Sequence, residues 1–88
     1  QAEVIRAERE RLQAALKGLP GVTPFPSEAN MILVRVPDAR RCFAGMKQRG
    51  VLVKNVEALH PLLANCLRLT VGTPDENTLM IDALKASL

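Results

Sequence analysis

Ile5, Leu12, Leu16 and Leu19 recur at intervals that bring them onto one stripe of a 3.6-residue period, predicting a helix over residues 2–18. Gly18 and then Pro20-Gly21 stop it. In "VTPFPSEAN", two prolines around Phe25 predict an extended edge segment rather than a central strand. "MILVRV" (31–36) is rich in β-branched residues and ends at Pro37, the pattern of a strand. Asp38 can cap a second helix over 39–49, with Ala39, Cys42, Phe43 and Met46 turned inward and Gly50 closing it. "VLVK" (51–54) reads as a short strand. The eleven residues 55–65, "NVEALHPLLAN", are too many for a tight hairpin and form a candidate functional loop. A strand over 66–71 follows. Thr73-Pro74-Asp75-Glu76 then offers an N-cap, a proline at the first helical position and an acid at the third. Met80, Ile81, Leu84 and Leu88 form the inner stripe of that last helix.

The resulting order, α-β-β-α-β-β-α, predicts an α+β fold in which helices cover one face of a small sheet. Residues 1–88 make one small domain, with no internal repeat and no low-complexity stretch. A domain of this size buries only about 60–65% of its unfolded surface, so its stability margin is thin.

Composition sharpens this picture at three points. The chain has two Phe and neither Tyr nor Trp, few for a self-contained binding domain, which suggests that part of the recognition surface lies elsewhere. It starts at Gln1 rather than Met, and reads as a segment of a longer protein. The net charge of +3 is spread out, and Arg6 to Arg11 alternate with Glu8 and Glu10 as on a solvated helix face. No aromatic residues interleave with the cations to stack on bases, which argues against a nucleic-acid partner. Cys42 and Cys66 match no zinc or redox spacing and read as two buried free thiols of a cytoplasmic protein. The longest apolar run is four residues, so no membrane span or signal peptide is expected.

Arg68 is the residue that the pattern does not absorb. Period-2 alternation puts Leu67, Leu69 and Val71 on one face of the strand and Cys66, Arg68 and Thr70 on the other. With the leucine face against the helices, Arg68 points out of the open face. There it is either an ordinary exposed arginine or a planar fork for a carboxylate or phosphate. Lys54, at the end of the preceding strand, would make a second cation for the same anion if the two strands are neighbours. Asn30 ends a turn or contacts a ligand. His60 has no Asp, Glu or Cys at ligand spacing, which argues against a metal site. No glycine-rich phosphate loop, nucleophilic triad or carboxylate pair occurs, so no catalytic residue is assigned in this segment.

"PSEANMILVRV", "RGVLVKN" and "PLLANCLRLTVGTPDEN", followed by an amphipathic helix, resemble the C-terminal small domain of the histidinol-phosphate aminotransferases. These are fold-type I, pyridoxal-phosphate-dependent enzymes. The resemblance covers essentially the whole chain. It implies that Arg68, at the arginine of the family's "LR-(I/L)-TVGT" strand, grips the anionic group of the substrate. Many members have Arg-Asp where this chain has Lys54-Asn55; lysine keeps the charge and loses the fork. The resemblance also implies that pyridoxal 5'-phosphate, its Schiff-base lysine and its phosphate contacts belong to a large domain outside this segment. The segment alone would then be inactive. The parent would be a cytoplasmic homodimer exchanging an amino group between L-histidinol phosphate and 2-oxoglutarate, giving imidazole acetol phosphate and L-glutamate, in histidine biosynthesis. Two alternatives stay open: an aminotransferase of the same fold acting on aromatic amino acids, and a free-standing α+β ligand-binding module.

Overall fold

The computed structural model describes residues 2–88. Helix α1 (Ala2–Lys17) leads into β1 (Thr23–Pro24) and β2 (Met31–Arg35), then α2 (Ala39–Gln48) and β3 (Lys54–Asn55). Two 3-10 turns, Glu57–Leu59 and Pro61–Leu63, occupy the long connection before β4 (Cys66–Thr70) and α3 (Pro74–Ser87). All strand pairs are antiparallel, in the order β1-β2-β4-β3. The element order and the α+β class follow the hydrophobic pattern.

One face of the sheet carries the core. Ile32 and Val34 of β2 and Leu67 and Leu69 of β4 meet Leu12 and Leu16 of α1, Cys42 and Met46 of α2, and Met80, Ala83 and Leu84 of α3. Full burial of each large apolar side chain contributes roughly 1.5–3 kcal/mol, which makes this layer the main source of stability. Of the stripe expected on α1, Leu12 and Leu16 are fully buried, whereas Ile5 and Leu19 are half-buried towards its two ends. Both cysteines are free and buried.

The helix ends form as the sequence predicts. Asp38 accepts the Arg41 N–H at the start of α2. At α3, Thr73 accepts the Glu76 N–H while Glu76 Oε1 accepts the Thr73 N–H, a complete capping box.

The strand expected at residues 51–54 is displaced: pairing begins only at Lys54 and runs to Asn55. The cause is the end of α2. Gly50, at φ 80°, donates to Lys47 O and the Val51 N–H donates to Met46 O, a Schellman closure. The Val51 N–H is thereby committed to the helix, and Val53 turns into the core.

Candidate functional site

Strand register gathers the cations. Lys54 of β3 stands opposite Arg68 of β4, and Arg68 stands opposite Leu33 of β2. Directly opposed residues share a face, so Lys54, Arg68 and Leu33 form one row across the sheet on the side away from the helices. Met31 and Thr70 form the neighbouring row at one end of that side, and Arg35 and Cys66 the neighbouring row at the other. Phe25, whose N–H donates to Leu33 O, lies beneath the Arg35 guanidinium at 5.4 Å.

Arg68 is half-buried, and its Nε is inaccessible to solvent with no hydrogen-bond partner. No other buried side-chain nitrogen or oxygen among the described residues is left in that condition. The single ion pair among the described residues joins Arg11 and Glu8, so no carboxylate of this chain neutralises Arg68. Leaving such a donor unmatched costs about 1–3 kcal/mol, and more when the group is charged. An anion from solvent would not reach this Nε; it would meet the outer nitrogens of the same guanidinium and offset the cost of holding the charge, with Lys54 as a second charge beside it.

The end of this face at Cys66 is covered, contrary to the simple alternation that leaves Cys66 open. Arg35 donates from Nε to Ala64 O at 3.1 Å and from a terminal nitrogen to Leu62 O at 2.6 Å, drawing the connection over Cys66. Asn65, at φ 57°, holds the same end of the connection: its carbonyl accepts the Val36 N–H and its Oδ1 accepts the Ala39 N–H. Glu57 accepts the Asn55 side-chain amide and the Asn65 N–H, and these two bonds hold its carboxyl below the usual range. The loop is therefore tied down at several points, with Leu59 and Leu62 exposed on it. His60 belongs to this scaffold: its Nδ1 accepts the Leu62 N–H at 3.1 Å and caps the second turn.

Asn30 lies elsewhere. Its carbonyl accepts the Val71 N–H, and the residue lines a cavity of about 460 Å³ with Ile5, Arg6 and Arg9 of α1. Arg68 and Lys54 are thus brought together, whereas Asn30 is not brought to them.

One polar residue escaped the sequence reading. Asn77 sits on the inner stripe of α3 with Met80 and Leu84 and is 1% exposed. A polar residue on an otherwise apolar stripe was the available signal.

With this geometry in place, known proteins can be set beside it. No family model matches the chain. A histidinol-phosphate aminotransferase of Methylibium petroleiphilum is 70% identical over all 88 residues, which span 24% of that protein. The chain is a close relative of the C-terminal part of histidinol-phosphate aminotransferases. The homologue from Paracidovorax citrulli is 63% identical, again over the whole chain and 24% of its own length. Among solved structures, the histidinol-phosphate aminotransferase of Clostridium acetobutylicum superposes with a TM-score of 0.87 over 96% of the chain and 26% of its own. At 20% identity this shows a shared fold. The L-threonine-O-3-phosphate decarboxylase of Porphyromonas gingivalis superposes at 0.83 with 25% identity, over 92% of the chain and 26% of its own. The chain thus spans about a quarter of the length of each aminotransferase relative it matches.

None of the three cavities described on the chain is lined by a lysine. The exposed Lys54 stands beside another cation and has no enclosing pocket.

Proposed function

We propose that this chain is the substrate-gripping part of a histidinol-phosphate aminotransferase. The parent enzyme transfers the amino group of L-histidinol phosphate to 2-oxoglutarate, using pyridoxal 5'-phosphate bound by a large domain. The amine-bearing carbon of L-histidinol phosphate becomes a ketone while the keto carbon of 2-oxoglutarate becomes the amine-bearing carbon of L-glutamate, and the phosphate ester is unchanged. A cytoplasmic homodimer in histidine biosynthesis goes with this reading.

The observation that carries the site assignment is the half-buried guanidinium of Arg68, which no carboxylate of the described residues pairs, standing opposite Lys54. Arg68 offers two parallel N–H groups to two oxygens, the geometry of a carboxylate edge or of two phosphate oxygens. Lys54 adds charge without directional demand. One pair of cations can then take the phosphate of one substrate and a carboxylate of the other in turn, holding each amine or ketone at a constant distance from the reacting centre. Leu33, opposite Arg68 on its other side, gives the row an apolar neighbour. The relatives' names fit this chemistry: histidinol phosphate and threonine-O-3-phosphate each join an amine to a phosphate.

The test uses the full-length enzyme. Arg68→Lys keeps one charge and loses the fork, whereas Arg68→Ala loses both. With charge-assisted bonds contributing roughly 1.5–3 kcal/mol each, kcat/KM should fall about 10-fold or more for lysine and about 100- to 1,000-fold for alanine. Both L-histidinol phosphate and glutamate should show the loss. An alanine variant with near-normal kinetics on both defeats the assignment.

A further inference from the structure

The strand that presents Arg68 is held unevenly. On the β2 side its pairing extends through Thr70, and Val71 N–H still reaches Asn30 O. On the β3 side, pairing covers only Leu67 and Arg68, because residues 51–53 stay out of the sheet. Beyond Arg68 the strand therefore has a partner on one side alone.

Asn77 supplies what is missing at the strand's exit. Its Oδ1 accepts the Gly72 N–H at 2.8 Å, and its Nδ2 donates to Gly72 O at 3.0 Å. A single side-chain amide thus satisfies both backbone polar groups of Gly72, as a neighbouring strand would. The same Nδ2 donates to Glu8 Oε1 of α1 at 3.1 Å. Glu8 is fixed in turn by Arg11 at 2.7 Å, and Arg11 reaches Pro74 O at 3.0 Å and Thr78 Oγ1 at 3.2 Å. These bonds join the end of β4, the first turns of α3 and the middle of α1 into one unit. Gly72 and Asn77 also line, with Thr70, a cavity of about 380 Å³ beside the open face.

We propose that Asn77 is a positioning residue for the anion grip of Arg68, setting the unsupported stretch of β4 through Gly72. The inference rests on the assignment of Arg68 as the anion contact. Three residues separate Arg68 from Gly72, four steps or about 13 Å at the usual rise, within which a slack exit reorients the guanidinium. A fork that must meet two oxygens is sensitive to such a shift.

The experiment compares, in the full-length enzyme, kcat/KM for L-histidinol phosphate with that for L-histidinol, which lacks the phosphate. Asn77→Ala should lower this ratio about tenfold, with the loss mostly in KM for the phosphorylated donor. Glu8→Ala should lower it less, and Glu8→Gln, which keeps an oxygen for Asn77 Nδ2, should restore it. If Asn77→Ala fails to fold, Asn77→Ser, which keeps a small polar group and adds no carboxylate facing Glu8, serves in the same comparison. An equal loss on both donors means a purely structural role and overturns the proposal. An unchanged ratio for Asn77→Ala, beside a collapsed ratio for Arg68→Ala, overturns it while the Arg68 assignment stands. An unchanged ratio for Arg68→Ala overturns both.

Discussion

Gly45, on α2, faces Ser87 near the end of α3, and the contact leaves no room for another carbon. A Cβ at position 45 would lie 2.5 Å from Ser87 Oγ and 2.8 Å from Ser87 Cβ, against an optimum of about 3.5–4.0 Å between carbons. The hydroxyl is not free to swing away, because it donates to Ala83 O at 2.7 Å. Gly45→Ala therefore sets two effects against each other. Helix propensity favours alanine by about 1 kcal/mol, while overpacking a tight contact costs about 1–3 kcal/mol. The net expectation is a destabilisation of about 0–2 kcal/mol. Removing the obstruction changes the sign: in a Ser87→Gly background, Gly45→Ala should stabilise by about 1 kcal/mol. Urea unfolding of the wild type, the two single variants and the double variant closes a thermodynamic cycle, with an expected coupling of about 1–3 kcal/mol. The reasoning is refuted if Gly45→Ala stabilises equally in both backgrounds, with a coupling below about 0.3 kcal/mol.

Two further outcomes are expected from the structure. Thr73→Ala removes one half of the capping box on α3 and should lower unfolding free energy by about 1 kcal/mol in the same titration, with Thr73→Ser retaining most of it. Glu8 is held below the usual carboxylate value of 4.5 by Arg11 and Asn77, Glu57 by Asn55 and Asn65, and Glu76 by Thr73. A lowered folded-state pKa contributes stability that is present above the unfolded value and lost as pH falls through the folded one. The urea midpoint should therefore decline below about pH 4.5, and a midpoint that rises on acidification contradicts these contacts.

The parts of this fold legible in the sequence are those where a single local effect decides. The β2 and β4 segments combine β-branched or alternating apolar residues with clear stops, and α3 announces its start at Thr73-Pro74. Residues 51–53 misled because "VLV" has strand composition, while the deciding event is the capture of the Val51 N–H by Met46 O, a helix-closing bond that composition does not reveal. Cys66 is the buried thiol that its residue type suggested, although alternation alone sends it to the open face, where the long-range bonds of Arg35 bring the connection over it. Arg68 stood out as a cation in an apolar strand, but its opposition to Lys54 depends on register between segments that sequence alone leaves unpaired. Asn77 was hidden because its partners, Gly72 and Glu8, come from a turn and a distant helix.

The placement of β4 between β2 and β3 also governs the order in which the domain can assemble. Met31 pairs with Thr70 and Arg35 with Cys66, so the principal strand pairing closes across the whole of α2 and the long connection. Such distant contacts incur most of their loop-closure entropy before any of them forms, which slows folding. A chain emerging from the ribosome would expose Ile32 and Val34 until the residues through Thr70 had cleared the exit tunnel, leaving an apolar strand edge open meanwhile. Arg68 arrives on that same closing strand, so a nascent chain acquires the anion grip proposed above at the step that seals its core.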